Sequence, residues 1–126
     1  MINAYLFDKE IADEGESGYR VQVVAANETE EGENLFKKRI KNNIDNGYPS
    51  FAAVDLNKLY PDLPRANHMI LIVGYATYKN SEEIAFYYIN DPYPLVQDPV
   101  FGNQKIVPEY ELFEAITQNE EPAYIW

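Results

Sequence analysis

Two apolar runs separated by a short polar stretch constrain this chain more than any other feature. HMILIVGY (68–75) and EIAFYYIN (83–90) are rich in β-branched and aromatic residues, and ATYKNSE (76–82) lies between them. Runs of that length and composition predict strands, and so short a connection pairs them as an antiparallel hairpin.

The flanking segments give the hairpin neighbours. YRVQVVAA (19–26) predicts a strand with Tyr19, Val21 and Val23 on one face. Residues 30–46 predict the clearest helix, with Leu35, Phe36, Ile40 and Ile44 at helical spacing. Thr29 suits its N-cap, Glu30, Glu31 and Glu33 suit the positive end of its dipole, and Asn46-Gly47 suits its stop. YPSFAAVDL (48–56) predicts a strand, followed by a loop punctuated by Pro61 and Pro64. DPYPLVQDPVFGNQ reads as a turn-rich connection, EYELFEAI (109–116) as a short helix opened by Pro108, and AYIW as a last short strand. The order β-α-β-loop-β-β-loop-α-β predicts an α+β fold, an antiparallel sheet with one longer and one short helix. A length of 126 residues suits a single domain, with residues 1–18 as a mixed segment and acidic turn ahead of a core at 19–126.

Composition removes several classes of function. A net charge of −11 argues against nucleic acid and anionic membrane surfaces as partners. The longest apolar run, Met69–Val73, is too short to span a bilayer, and no signal-like stretch opens the sequence. With no cysteine, the chain holds no disulfide, thiolate metal site or thiol nucleophile of its own. One histidine is too few for a usual zinc site, and the acidic stretches 13–16 and 28–33 lack EF-hand spacing. No spacing among the acids marks a glycosidase pair, and no glycine loop is built to cradle phosphate. No cofactor and no metal are expected.

The one histidine, His68, opens the first hairpin strand. A turn centred between Lys79 and Asn80 sets His68 opposite Asp91, with Cβ atoms roughly 4.5–5.5 Å apart on one face of the sheet. A carboxylate bonded to one ring nitrogen fixes the tautomer and raises the basicity of the other, the base–orienter half of a catalytic triad. A slip of one residue puts Asn90 in that role, and a slip of two sets an apolar or aromatic residue there. The same two features also have plain structural uses, since Asp-Pro commonly ends a strand and a histidine commonly begins one.

From about Ile40 to Ile116 the chain resembles the papain-like cysteine peptidases of the bacteriocin-processing type. The resemblance is carried by IDNGYPSFAAV, then HMILIVGY, then YYINDPYP, then a glycine turn and short helix in FGNQKIVPEYELFEAI. It implies the sheet-bearing half of a papain-like fold, with His68 as general base, Asp91 as its orienting partner and Asn90 as the fallback for that second role. It also implies a cysteine nucleophile at the start of a long upstream helix, with a glutamine near the oxyanion. Here the pattern departs, because no cysteine exists and little chain precedes residue 40. Ser17 and Ser50 lie before and within strands, and Thr29 is ringed by Glu28, Glu30 and Glu31, whose charges oppose an alkoxide. Gln22, Gln97, Gln104 and Gln118 have no context that marks an oxyanion donor. The expected function is therefore a peptidase-related domain with a base, an orienter and no nucleophile. It is either completed by missing sequence or a Cys-bearing partner chain, or an inactive pseudo-peptidase.

A different class also fits, a non-catalytic protein-binding module of the inhibitor, immunity or assembly-subunit kind. Tyr75, Tyr78, Tyr87, Tyr88 and Tyr93 cluster around the hairpin, and tyrosine is favoured at protein interfaces. Either way a peptide or protein partner is implied. An isolated half-lobe leaves an apolar face needing cover, which points to a homodimer or segment exchange.

Overall fold

The computed structural model describes residues 1–13 and 15–126; of the acidic turn expected at 13–18, Glu14 lies outside the described residues. Among the described residues the chain forms one six-stranded antiparallel sheet with four α-helices, the α+β class expected from the sequence. In chain order the elements are α1 (Ile2–Phe7), β1 (Val21–Val23), α2 (Glu30–Asp45), β2 (Ser50–Asp55), α3 (Leu56–Leu59), β3 (Asn67–Thr77), β4 (Ile84–Asn90), β5 (Gln104–Pro108), α4 (Glu109–Thr117) and β6 (Ala123–Ile125). Across the sheet the strands run β1-β6-β2-β3-β4-β5.

One face of the sheet carries the core. Ala52, Val54, Ile70, Ile72, Tyr87, Ile89, Val107 and Tyr124 are buried there beneath Phe36 and Ile40 of α2 and Leu112, Phe113 and Ile116 of α4. Helix α2 forms as its sequence predicts: Thr29 caps it by accepting from the Gly32 amide, and Gly47 leaves it at φ 86°. Its inward stripe is narrower than the periodicity suggests, because Leu35 is exposed. Tyr19, Val21 and Val23, which the sequence groups on one face, differ in burial. Val21 and Val23 point to the helix-free side and are exposed, while Tyr19 and Val24 are buried. Along β1, β3 and β5 that side also leaves Met69 and Ile106 exposed.

Three elements escape the sequence pattern. Helix α1 is tied down by Asn3, whose side chain bonds both the amide and the carbonyl of Tyr19. Helix α3 is a single turn that starts where the Asp55 carboxylate accepts from the Asn57 amide. Strand β5 begins at Gln104, the last residue of the expected connection, and runs through residues to which the sequence assigns no element. Pro108 ends it as the N-cap of α4 rather than as that helix's first residue.

Glu109 begins α4 in an unusual setting. Its side chain is buried, Oε1 has no hydrogen-bond partner among the described residues, and Lys37 Nζ is 4.0 Å from Oε2. Burial first, then repulsion by Glu33 on α2, pushes its carboxyl up to about 7, with Glu83 adding to the rise and Lys37 opposing it. The neighbouring Tyr87 phenol is also raised, by burial and by the charges of Glu109 and Glu33. Between pH 4.5 and 7 the folded chain therefore holds a proton that the unfolded chain has released, so stability falls as pH rises through that window. Glu109→Gln should remove that slope. Denaturant unfolding should show it more stable than the parent by about 1–2 kcal/mol at pH 8, after allowing for solvent screening, and equal to it near pH 4.5.

Candidate active site

The hairpin places His68 and Asp91 on one face by a register two residues away from the expected one. The Tyr78 amide bonds the Glu83 carbonyl and Asn80 takes a left-handed φ of 58°, so the turn is centred between Asn80 and Ser81. Leu71 then pairs with Asn90 and Ile72 with Ile89. Continued past the strand end, that register sets His68 against Tyr93, whose ring lies 5.7 Å from the imidazole. Side chains alternate with period two, so a slip of two residues keeps His68 and Asp91 on the same face as diagonal neighbours. The imidazole spans the diagonal, and Nε2 is 2.7 Å from Asp91 Oδ1. Asn90 falls on the opposite face, across from Leu71, and bonds no histidine. The carboxylate that bonds the imidazole is that of Asp91.

Asp91 is fully buried and saturated with donors. The Tyr60 hydroxyl donates to Oδ2 at 2.7 Å, and the Tyr93 amide donates to Oδ1 at 3.0 Å across Pro92. Asp91's own amide bonds the Asn103 carbonyl, and its carbonyl accepts from Gln97 Nε2 at 2.9 Å. The Tyr60 hydroxyl and the Tyr93 amide both donate to this carboxyl, which therefore acts as acceptor. In the neutral imidazole that places the proton on Nε2 and the lone pair on Nδ1. Nδ1 makes no hydrogen bond among the described residues, and 16% of the histidine side chain is accessible. Such an arrangement suits a general base waiting for a proton donor.

Tyr60 is the contributor that sequence reasoning missed. Its position follows from short-range chemistry: α3 is capped by Asp55, and Asn57 Nδ2 donates to the Pro61 and Leu63 carbonyls, folding the proline-rich loop back on itself. Burial, and then the bond to Asp91, push the Tyr60 phenol well up, so it remains a donor at any ordinary pH. LYPDLP carries a turn signal but nothing that aims its tyrosine at residue 91. Gln97 takes a structural post, bridging the Asp91 and Tyr93 carbonyls.

None of the hydroxyls weighed as nucleophiles bonds His68. Ser50 is buried, bonded to Asn43, and pairs with Ile72, four residues along β3 from His68 and so on the order of 13 Å away. Thr29 is engaged as the α2 cap, and Ser17 is exposed in the loop before Tyr19. A cleft of about 390 Å³ among Asp55, Arg65, Ala66, Asn67, Asn119 and Glu120 is not lined by His68, and Asp55 and Asn67 lie by register on the other face of the sheet from it. A slightly larger cleft of about 410 Å³, among Tyr19, Arg20, Asn42, Asn46, Tyr48 and Trp126, lies at the far end of β2, so cavity size does not mark this site.

The loop after Asp91 is braced by hydrogen bonds and carries apolar residues at its tip. Asp98 accepts from the Val100 and Phe101 amides and exchanges both backbone bonds with Gly102. Leu95, Val100 and Phe101 are held out in solvent by that scaffold.

Compared with known proteins, residues 1–116 match the model of the Peptidase_C39 like family, a span that extends upstream of the stretch carrying the resemblance above. No curated relative and no solved structure matches the chain.

Proposed function

This chain belongs to the Peptidase_C39 like family, and on that premise we propose that it is a peptidase-related domain supplying a base and its orienter but no nucleophile. The 2.7 Å bond between His68 Nε2 and a wholly buried Asp91 is the observation that supports it most. Asp91, steadied by Tyr60 and Tyr93, fixes the imidazole so that Nδ1 can take a proton from an incoming thiol. That thiol has to come from outside these 126 residues, since they contain no cysteine. On its own the chain does not hydrolyse peptides by a thiol mechanism.

The test compares the purified chain with native material that includes a thiol-bearing segment or partner. The chain alone should leave an unstructured peptide intact. The native material should cleave it, stop on treatment with iodoacetamide, and lose at least about a hundredfold in kcat/KM with His68→Ala. Cleavage by the purified chain, or cleavage indifferent to iodoacetamide, would falsify this function.

One observation favours the second reading, a non-catalytic protein-binding module. The Asp98-braced tip holds Val100 81% and Phe101 70% exposed on a preorganised loop, which is how a protein anchor is presented. In that case His68 is a structural residue and dispensable for binding.

A further inference from the structure

We propose that the helix-free face of the sheet is a self-association surface on which two copies of this chain pack face to face. Every strand contributes an apolar side chain to it: Val23, Ile125, Phe51, Met69, Phe86 and Ile106, in order across the sheet from β1 to β5. Val23, Met69, Phe86 and Ile106 are between 38% and 71% exposed, whereas Ile125 and Phe51 are half-buried, the latter with the Tyr19 ring 5.8 Å away.

Charge identifies the occupant. A quarter of the chain is Asp, Glu, Lys or Arg and the net charge is −11, so two copies repel through most of their surfaces. By strand register the helix-free face carries one charged residue, Asp55 at its margin, which is 2% exposed and ion-paired with Arg65 at 2.8 Å. Two copies can therefore meet here, in a chain this acidic, without setting like charges in contact.

Area agrees with charge. With Val21, Val23, Met69, Phe86 and Ile106 each more than a third exposed, the face is an apolar patch on the order of several hundred Å², the size range of the share each partner contributes to a specific interface. Tyr88 keeps the middle of the face low: its ring lies so close over Gly74 that a Cβ there would sit 3.1 Å from Cδ2. Two such twisted sheets stack about 10 Å apart, and a two-fold axis makes the contact self-complementary.

Sedimentation velocity on the purified chain reads the outcome. A species of twice the 14.6 kDa chain mass is expected at micromolar concentration. It should tighten as salt is raised, because salt screens the repulsion between the acidic remainders and leaves the neutral contact alone. Met69→Lys and, separately, Ile106→Lys place a charge on different strands of an already exposed surface. Each should raise the dissociation constant about tenfold or more while circular dichroism stays at the parent's. Three outcomes overturn the dimer. They are a monomer at every concentration and salt (also the result if the face belongs to the thiol-bearing chain), a dimer that loosens with salt, or folded variants that dimerise as the parent does. Since mass rather than hydrolysis is read, none of these bears on the proposed base and orienter.

Discussion

Asp91→Ala is expected to destabilise the fold by about 3 kcal/mol, because it strips the acceptor from buried donors whose own solvation has already been given up. The Tyr60 hydroxyl, His68 Nε2 and the Tyr93 amide all lose their partner at once. Water cannot easily replace it, since the carboxylate is wholly buried. Asp91→Asn keeps the shape and one acceptor oxygen, so about half that loss is expected from it. Urea unfolding of both variants separates the contributions. A loss below about 1 kcal/mol for the alanine variant would mean that the donors find other partners and that the site is not built around residue 91.

Phe36→Ala should cost more, about 4 kcal/mol, by leaving a cavity where the two helices meet the sheet. The ring is fully buried and touches three others, with centroids 4.9 Å from Tyr124, 5.3 Å from Phe113 and 5.8 Å from Tyr87. Those contacts join α2, α4, β4 and β6, so the loss falls on the whole core rather than on one element. Leu35→Ala, one residue earlier on the exposed side of the same helix, is the matched control and should change stability by less than about 0.5 kcal/mol. Comparable losses from both would mean that α2 sits rotated about its axis from the position described here.

How much of this was legible beforehand depended on the range of the interactions involved. Helix α2 announced itself through Thr29, the apolar stripe and Gly47, all signals within a few residues. The central strands were legible from composition, and the family resemblance rested on the same stretches. For β1, alternation shows which residues share a face but not which face is covered, and Val21 and Val23 are exposed. Strand β5 was hidden by its setting: Pro108 and the turn residues before Gln104 disguise a strand whose partner is β4. The His68–Asp91 bond was anticipated through an incorrect register and survived because the error was even. Tyr60 was not legible at all, since it meets Asp91 across 31 positions of chain, by way of a loop shaped by Asn57.

The hairpin carries two irregularities, one between Ile72 and Gly74 on β3 and one opposite the Ala76–Thr77 step, where Ala85 is left over on β4. Each adds one residue on a different strand, so the pairing is out of phase only between them and returns to its first count at both ends. A lineage of such chains could thus gain or lose a residue in the middle of the hairpin, match it on the other strand, and never move the histidine at its base. The turn and the site are free to diverge at separate rates, although one uninterrupted pair of strands connects them.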